Sequence, residues 1–399
     1  MKKKIIYLFL LPLMALTVTA CSDDDFTESI FDTSVAVVDE DSTTYPFDLW
    51  IYENFTVPYN VEIDYKFNFT ASDMDYQLTP PEYKRSQMLA HFILYLFYDV
   101  YNKYGGDDFM AEYGPRIFHF IGSSGYSATT GTEVLGTASA GVKITLYKIN
   151  DMREITDDVE FDSDDILQLN EDYFHTMHHE FSHILHQTKS YPVTFGQVTS
   201  GTYDPMDWQD RDSTDTHQLG YVTHYASSAT YEDFVETLSC IITDTDYRWM
   251  LRIIDACLAG VISGDKEDIE ELIENLGVEG LDDSTKKWNN FTVYTEYDPD
   301  TGEETGRKVL DIRRDTSSYD YSVYASYTSF EDFLDDVEVI TSTGDPEGMN
   351  AILKKIDIAN TWYTEKWGLD VYEIRAEVRE RQKNLNDYVS EEVVIYDYQ

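Results

Sequence analysis

The 399-residue sequence predicts an α+β fold in which a small mixed sheet precedes a longer helical portion. Gly141–Asn150 alternates apolar Val142, Ile144 and Leu146 with Lys143, Thr145 and Tyr147, the period of a strand. Ser86–Tyr104, Asn170–Lys189 and Thr230–Thr243 instead repeat apolar residues at the period of a helix. The composition, 42% hydrophobic and 15% aromatic, supports a packed body despite a net charge of −47. That charge disfavours nucleic acid and anionic surfaces as partners.

The N-terminus has the form of an address. Lys2, Lys3 and Lys4 precede an apolar run, Ile5–Val18, and then Thr19-Ala20-Cys21. A basic start, a short apolar segment and small residues before a cut site make residues 1–20 a secretory signal peptide, too short for a membrane span. Small residues directly before Cys21 resemble the bacterial lipobox, which implies lipid on Cys21. Ser22-Asp-Asp-Asp25 resembles the acidic export tag of Bacteroidetes surface lipoproteins, and residues 21–45 read as an acidic tether. Removing residues 1–20 takes away three Lys and no acid, moving the charge from −47 to −50. Cys240 and Cys257 lack paired-Cys metal spacing; each sits in an apolar helical pattern and reads as a buried thiol, a single disulfide being the alternative.

Residues 46–288 read as the core domain. Val57–Phe67 alternates and reads as a strand; Ser86–Tyr104 is a helix capped by Ser86 and stopped by Gly105-Gly106. Arg116–Ile121 is a short apolar strand. Gly141–Asn150, just before the histidine-rich helix, resembles the strand that in zinc peptidases often forms the sheet edge, and the resemblance implies that an extended substrate could pair with it. Ser190–Leu219, rich in Gly, Asp, Pro and Thr, is a long loop; helices are expected again over Thr230–Thr243, Tyr247–Ile262 and Asp265–Leu276. Residues 289–325 are a polar hairpin insertion turning at Asp298-Pro-Asp-Thr-Gly302. Residues 326–399 close the chain with helices at Met349–Trp367 and Asp370–Gln382, the second capped by Asp370.

Asn170–Lys189 carries the chemistry. His179-Glu180-Phe181-Ser182-His183 places two imidazoles four residues apart, on one helical face and about 6 Å from each other. That spacing suits two zinc ligands, with Glu180 beside them as general base. With nine His in the chain, chance predicts on the order of 0.01–0.02 such matches. The apolar stripe of Phe174, Met177, Phe181, Ile184 and Leu185 supplies the helical context, with Asn170 as expected N-cap.

Catalytic zinc normally takes three protein ligands. Two sources compete for the third. His186 faces the right way, yet lies about 10 Å along the axis from His179. The other source is the helix opened by Thr230, where Glu232 and Glu236 lie four residues apart, as a ligand and its hydrogen-bonding partner would. A capping box of Thr230 with Asp233 is expected there.

His179-Glu-Phe-Ser-His183 followed by Glu232-Asp-Phe-Val-Glu236 resembles the gluzincin metallopeptidases. The resemblance implies a zincin-like metallopeptidase domain, Glu232 as third ligand, and Glu236 as the partner that hydrogen-bonds a ligand histidine. Gly220-Tyr-Val-Thr-His-Tyr225 resembles a segment of lethal-factor-like members, which implies Tyr225 as oxyanion donor, with His224 and Tyr221 as rivals. Together with the lipobox and acidic tag, residues 116–240 resemble the zinc-binding metallopeptidase lipoproteins associated with TonB-dependent nutrient importers. Those proteins share the third helical histidine, here His186. The resemblance implies Zn²⁺ as cofactor, a peptide or protein substrate, a lipid anchor at the outer membrane surface and a possible importer complex. The alternative expectation is a non-catalytic substrate-binding accessory lipoprotein of such an importer.

Overall fold

A computed structural model describes residues 38–67, 78–126, 133–134, 136–139, 143–154, 160–211, 213–257, 261–265, 291–298, 301–312 and 347–398. The expected signal peptide, Cys21 and most of the tether lie outside these residues, as does most of the helix expected over Asp265–Leu276.

In chain order, α1 (Tyr45–Ile51) continues through a π-helical turn (Tyr52–Thr56) and ends at Asn60, a left-handed residue with φ 55°. β1 is only Glu62–Asp64, so the strand expected over Val57–Phe67 is largely helical at its start. Aromatic packing decides this: Phe47, Trp50 and Phe55 are brought to one side of the helix and into ring contact. α2 (Tyr83–Ile93) runs through a π turn (Leu94–Tyr98) to Gly105. Ser86 is not its cap; the residue is buried one turn inside, its hydroxyl bonded to the Glu82 carbonyl. A short α3 (Phe109–Tyr113) leads into β2 (Ile117–Phe120).

β3 (Gly125–Tyr126) and β4 (Glu133–Val134) form a two-residue ladder, followed by β5 (Gly136–Ser139) and β6 (Lys143–Leu146). The main sheet has the order β1-β2-β6-β5, parallel except for antiparallel β5. It is the small mixed sheet of an α+β fold. β6 is an interior strand, contrary to its expected place at the edge. The short β5 pairs with it and takes the outer position, lying against the histidine-rich helix. Ile144 and Leu146 are both buried, because β6 has a neighbour on each side and packing on its faces.

That helix begins earlier than its apolar stripe suggests. α4 (Ser163–Leu169) opens on a capping box in which Asp162 accepts from the amides of Asp164 and Asp165. A π turn (Asn170–Phe174) joins it to α5 (His175–Thr188). Asn170 is therefore mid-helix and buried, its side-chain oxygen accepting from Gln382 at 2.7 Å.

The following loop contains α6 (Val193–Val198) and α7 (Ser213–Gln218). α8 (Thr230–Thr243) has Ala229 at its N-cap and no side-chain cap, so the expected Thr230 capping box is absent. Thr230 is already helical, and Asp233 is drawn into a buried ion pair instead. α9 (Asp246–Cys257) is followed by β7 (Val261–Asp265), a strand where helix was expected. β7 pairs with β9 (Glu304–Ile312), which pairs in turn with β8 (Phe291–Tyr297), and the hairpin turns at Asp298–Gly302. α10 (Glu347–Trp362), α11 (Val371–Lys383) and α12 (Leu385–Glu392) complete the described chain, with the Asp370 side chain capping α11.

One core joins the helices and the main sheet, running from Phe47 through Phe97, Phe181, Phe234 and Trp249 to Trp362 and Leu385. α5 and α8 pack on one another inside it, with α10 and α11 against α8. This packing brings the two acidic-histidine helices face to face.

Candidate metal centre

α5 turns His179 and His183 toward α8, and α8 answers with Glu232. Nε2 of His183 lies 3.1 Å from Nε2 of His179 and 3.1 Å from Oε2 of Glu232; the third side, His179 Nε2 to Glu232 Oε2, is 3.2 Å. Tetrahedral zinc with bonds of about 2.0–2.1 Å has ligand–ligand edges of roughly 3.3–3.4 Å. The triangle therefore has the size of one face of a zinc tetrahedron.

The outer ring nitrogens are held by neighbouring side chains. His179 Nδ1 lies 2.7 Å from Oε1 of Glu236, an acceptor only, so Nδ1 carries the hydrogen and donates it. Glu236 Oε1 also meets His175 Nε2 at 3.0 Å, and its Oε2 accepts from Thr223 Oγ1 at 2.6 Å. His183 Nδ1 is 2.9 Å from His186 Nε2. With both Nδ1 atoms engaged outward, the two Nε2 atoms and a carboxylate oxygen converge on one point. Without metal a proton on His179 Nε2 bonds to Glu232; a cation at the centre would replace it.

The family model described as "Putative zinc-binding metallo-peptidase" matches residues 40–372. The chain belongs to this zinc-binding metallopeptidase family. A crystal structure of a putative zinc-binding metallo-peptidase from Bacteroides caccae, 24% identical, covers 88% of this chain and 95% of its own with a TM-score of 0.54, a likeness of fold. No curated protein matches the chain. Zinc is the cofactor, and the two imidazoles and one carboxylate fit its preference for nitrogen and oxygen donors in a small triangle.

The metallopeptidase surrounds this point with negative potential. Burial by itself would lower the His179 pKa, but Glu232 and Glu236 overcome it and push it up to about 10. Burial works to raise Glu232, yet His179 and His183 hold it down to about 2. Glu236, also opposed by burial, is kept well below the usual carboxylate range by His175 and His179. Glu180 goes the other way: its burial outweighs the nearby imidazoles and raises its pKa.

Tyr225, Tyr221, His224 and His186 are the other candidates that the sequence offered. Tyr225 stands with its ring 5.8 Å from that of His179 and is partly exposed; burial and the Glu232 carboxylate push its hydroxyl pKa up. Its rival Tyr221 is wholly buried, with its hydroxyl 2.8 Å from Thr202 Oγ1. His224 gives its carbonyl to Ser227 Oγ. His186 is outside the triangle, against Tyr191 and Phe234, with its Nε2 2.9 Å from His183 Nδ1, and burial drops its pKa to about 4, which keeps the ring neutral.

Sequence reasoning missed His175 and Thr223. His175 was detectable as a third histidine at the four-residue spacing, His175-x-x-x-His179-x-x-x-His183; Thr223 was not, because only the loop's path brings it to Glu236. His175, Glu236 and Cys240 also have donor atoms within 4.8 Å of one another. Hydrogen bonds account for this second group: Ser239 Oγ meets His175, and the Arg252 guanidinium lies 3.8 Å from the sulfur, which disfavours a cation there. Cys240 is a free, buried thiol, and the side chain of Cys257 lies outside the described residues.

Proposed function

We propose that the protein is a gluzincin-type peptidase in which His179, His183 and Glu232 hold the zinc and Glu180 is the general base. The observation that carries this reading is the triangle of three inward-facing ligand atoms with Glu180 on the same helix as two of them. When bound, zinc supplies Lewis-acid polarisation and makes an attacking water more acidic. Glu180 takes the proton from the water that attacks the substrate carbonyl and delivers it to the leaving nitrogen. Its raised pKa brings its basicity nearer to neutral pH, which suits a group that must both accept and release a proton.

Tyr225 donates its hydroxyl hydrogen toward the developing negative oxygen. Its elevated pKa keeps that hydrogen in place. Glu236 fixes the ring of His179 and raises its basicity, while the neutral His186 fixes the ring of His183. This reading makes Glu232, and not His186, the third ligand.

The N-terminal sequence supports a protein lipidated on Cys21 and held at the outer membrane surface, where it would serve a TonB-dependent importer by cutting peptides. Palmitate labelling of wild type and Cys21→Ala tests the anchor.

The central test replaces Glu180 with Gln. Zinc content should stay at one per chain while cleavage of a peptide library disappears. Unchanged turnover would remove Glu180 from the mechanism. Absence of cleavage by wild type, with zinc bound and peptide retained, would favour the binding accessory.

A further inference from the structure

Behind the metal centre lies a buried charge cluster that the chemistry above does not use. Lys355 on α10 and Asp233 on α8 are both wholly buried, with Nζ 2.6 Å from Oδ2. The same ammonium donates to the carbonyl of Gly220 at 2.8 Å and stands 4.0 Å above the ring of Tyr221. Asp233 Oδ2 accepts a second hydrogen bond, from Tyr203 at 2.7 Å.

Taking a lysine and an aspartate out of water is expensive, and apolar residues of like size often stabilise a core as well or better. The location of the pair gives a different reason for it. It joins α10, α8 and the loop between α6 and α8 at one point. The loop is pressed against α10 here: Gly220 has φ +87°, and a Cβ on it would meet Cβ of Ala351 at 2.5 Å. Gly348 is equally tight, since a Cβ there would come within 2.6 Å of the carbonyls of His217 and Gln218.

Three residues beyond Gly220, Thr223 reaches Glu236, and two further on Tyr225 stands beside His179. Thr223 Oγ1 also accepts from the amide of Ala226, so the segment between the anchor and Tyr225 is pinned at both ends.

We propose that Lys355 is a positioning residue that holds the segment 220–225 so that Tyr225 and Thr223 meet the metal centre in register. The proposal rests on the reading of Tyr225 as oxyanion donor. It extends the working parts of the site to a helix more than a hundred residues away in sequence.

The test compares K355M, the double variant K355M/D233N and Y225F in the full chain. K355M alone leaves a buried carboxylate without its cation and should melt several degrees lower. K355M/D233N leaves no charge unpaired, and its introduced amide oxygen can still accept from Tyr203, so it should recover most of the melting temperature. Its kcat should nevertheless fall on the order of 10- to 100-fold with KM little changed, as misplacement of a transition-state contact does. Hydrogen exchange of amides 220–228 should accelerate while those of α5 stay protected. In a Y225F background the double variant should cause no further loss of kcat.

Wild-type exchange over 220–228 in K355M/D233N would overturn the proposal, as would a kcat loss that adds fully to that of Y225F. If Y225F alone turns over like wild type, the oxyanion role fails separately, and the exchange comparison then decides the anchoring by itself.

Discussion

Nε2 of His179 and Nε2 of His183 lie 3.1 Å apart, each on a ring whose other nitrogen is committed to an outer partner, Glu236 for one and His186 for the other. Two imidazole nitrogens and a carboxylate oxygen held this close call for positive charge between them, which a proton shared by His179 and Glu232 supplies in the metal-free protein and zinc supplies when bound. The same arrangement makes zinc part of the fold's stability.

Chelation should therefore destabilise the protein reversibly. Zinc at 100 times its Kd adds about 2.7 kcal/mol to the native state, so a chelator should lower the melting temperature by a few degrees and added zinc should restore it. Differential scanning calorimetry with and without chelator measures this. A melting temperature indifferent to chelator and zinc would contradict the convergence of these three side chains on a metal.

Ligand and partner should separate by the size of their effects. Glu232→Ala removes a corner of the triangle and should abolish stoichiometric zinc. His186→Ala removes only the partner of His183 Nδ1 and should weaken zinc on the order of 10–100-fold. Competition with a fluorescent chelator gives both affinities, and the reverse ranking would make His186 the third ligand.

The C-terminal end of α8 should govern acid stability. Asp244 is buried with Arg252 at 2.6 Å and Arg248 at 3.2 Å, and these cations keep its pKa below the unfolded value although burial opposes them. A depressed carboxylate contributes stability that is present above the unfolded pKa of 3.8 and is lost as pH falls from there toward the folded value. Asp244→Asn should cost about 3–5 kcal/mol at pH 7, because it strands the buried Arg252 guanidinium while Arg248 keeps Glu171, and should flatten the loss of stability below pH 4. Urea titrations at pH 7 and between pH 3 and 4 test both parts.

Gly220→Ala should be costly for two reasons at one position. A φ of +87° is strained for any residue with a Cβ, and the added atom would collide with Ala351. A loss of about 1–3 kcal/mol is expected by urea unfolding. Gly201→Ala, also at positive φ but with no neighbour within 4 Å, should lose less, so equal losses would remove the collision from the account.

Much of the centre was legible in the sequence because helical pitch is local. Four-residue spacing places His179 with His183, and Glu232 with Glu236, on shared faces whatever the rest of the chain does. The same locality explains where reading failed. Asn170 resembles a helix start, but tertiary packing buries it within a longer helix and the cap belongs to Asp162. β6 carries a clear strand pattern that says nothing of its neighbours, and β5 took the edge. Val57–Tyr59 alternates like a strand, yet the aromatic residues before it pack as a helix.

The residue types and their spacing, set by covalent order and the geometry of the α-helix, were sufficient to name the pair of helices that carry the histidines and carboxylates. Which carboxylate faces the imidazoles, which histidine stays outside, and why a lysine on α10 touches the loop of Tyr225 were decided only when α5, α8 and α10 packed around one core. Those contacts join residues from 49 to 135 positions apart, and no local pattern encodes a distance that only side-chain packing brings to 3 Å.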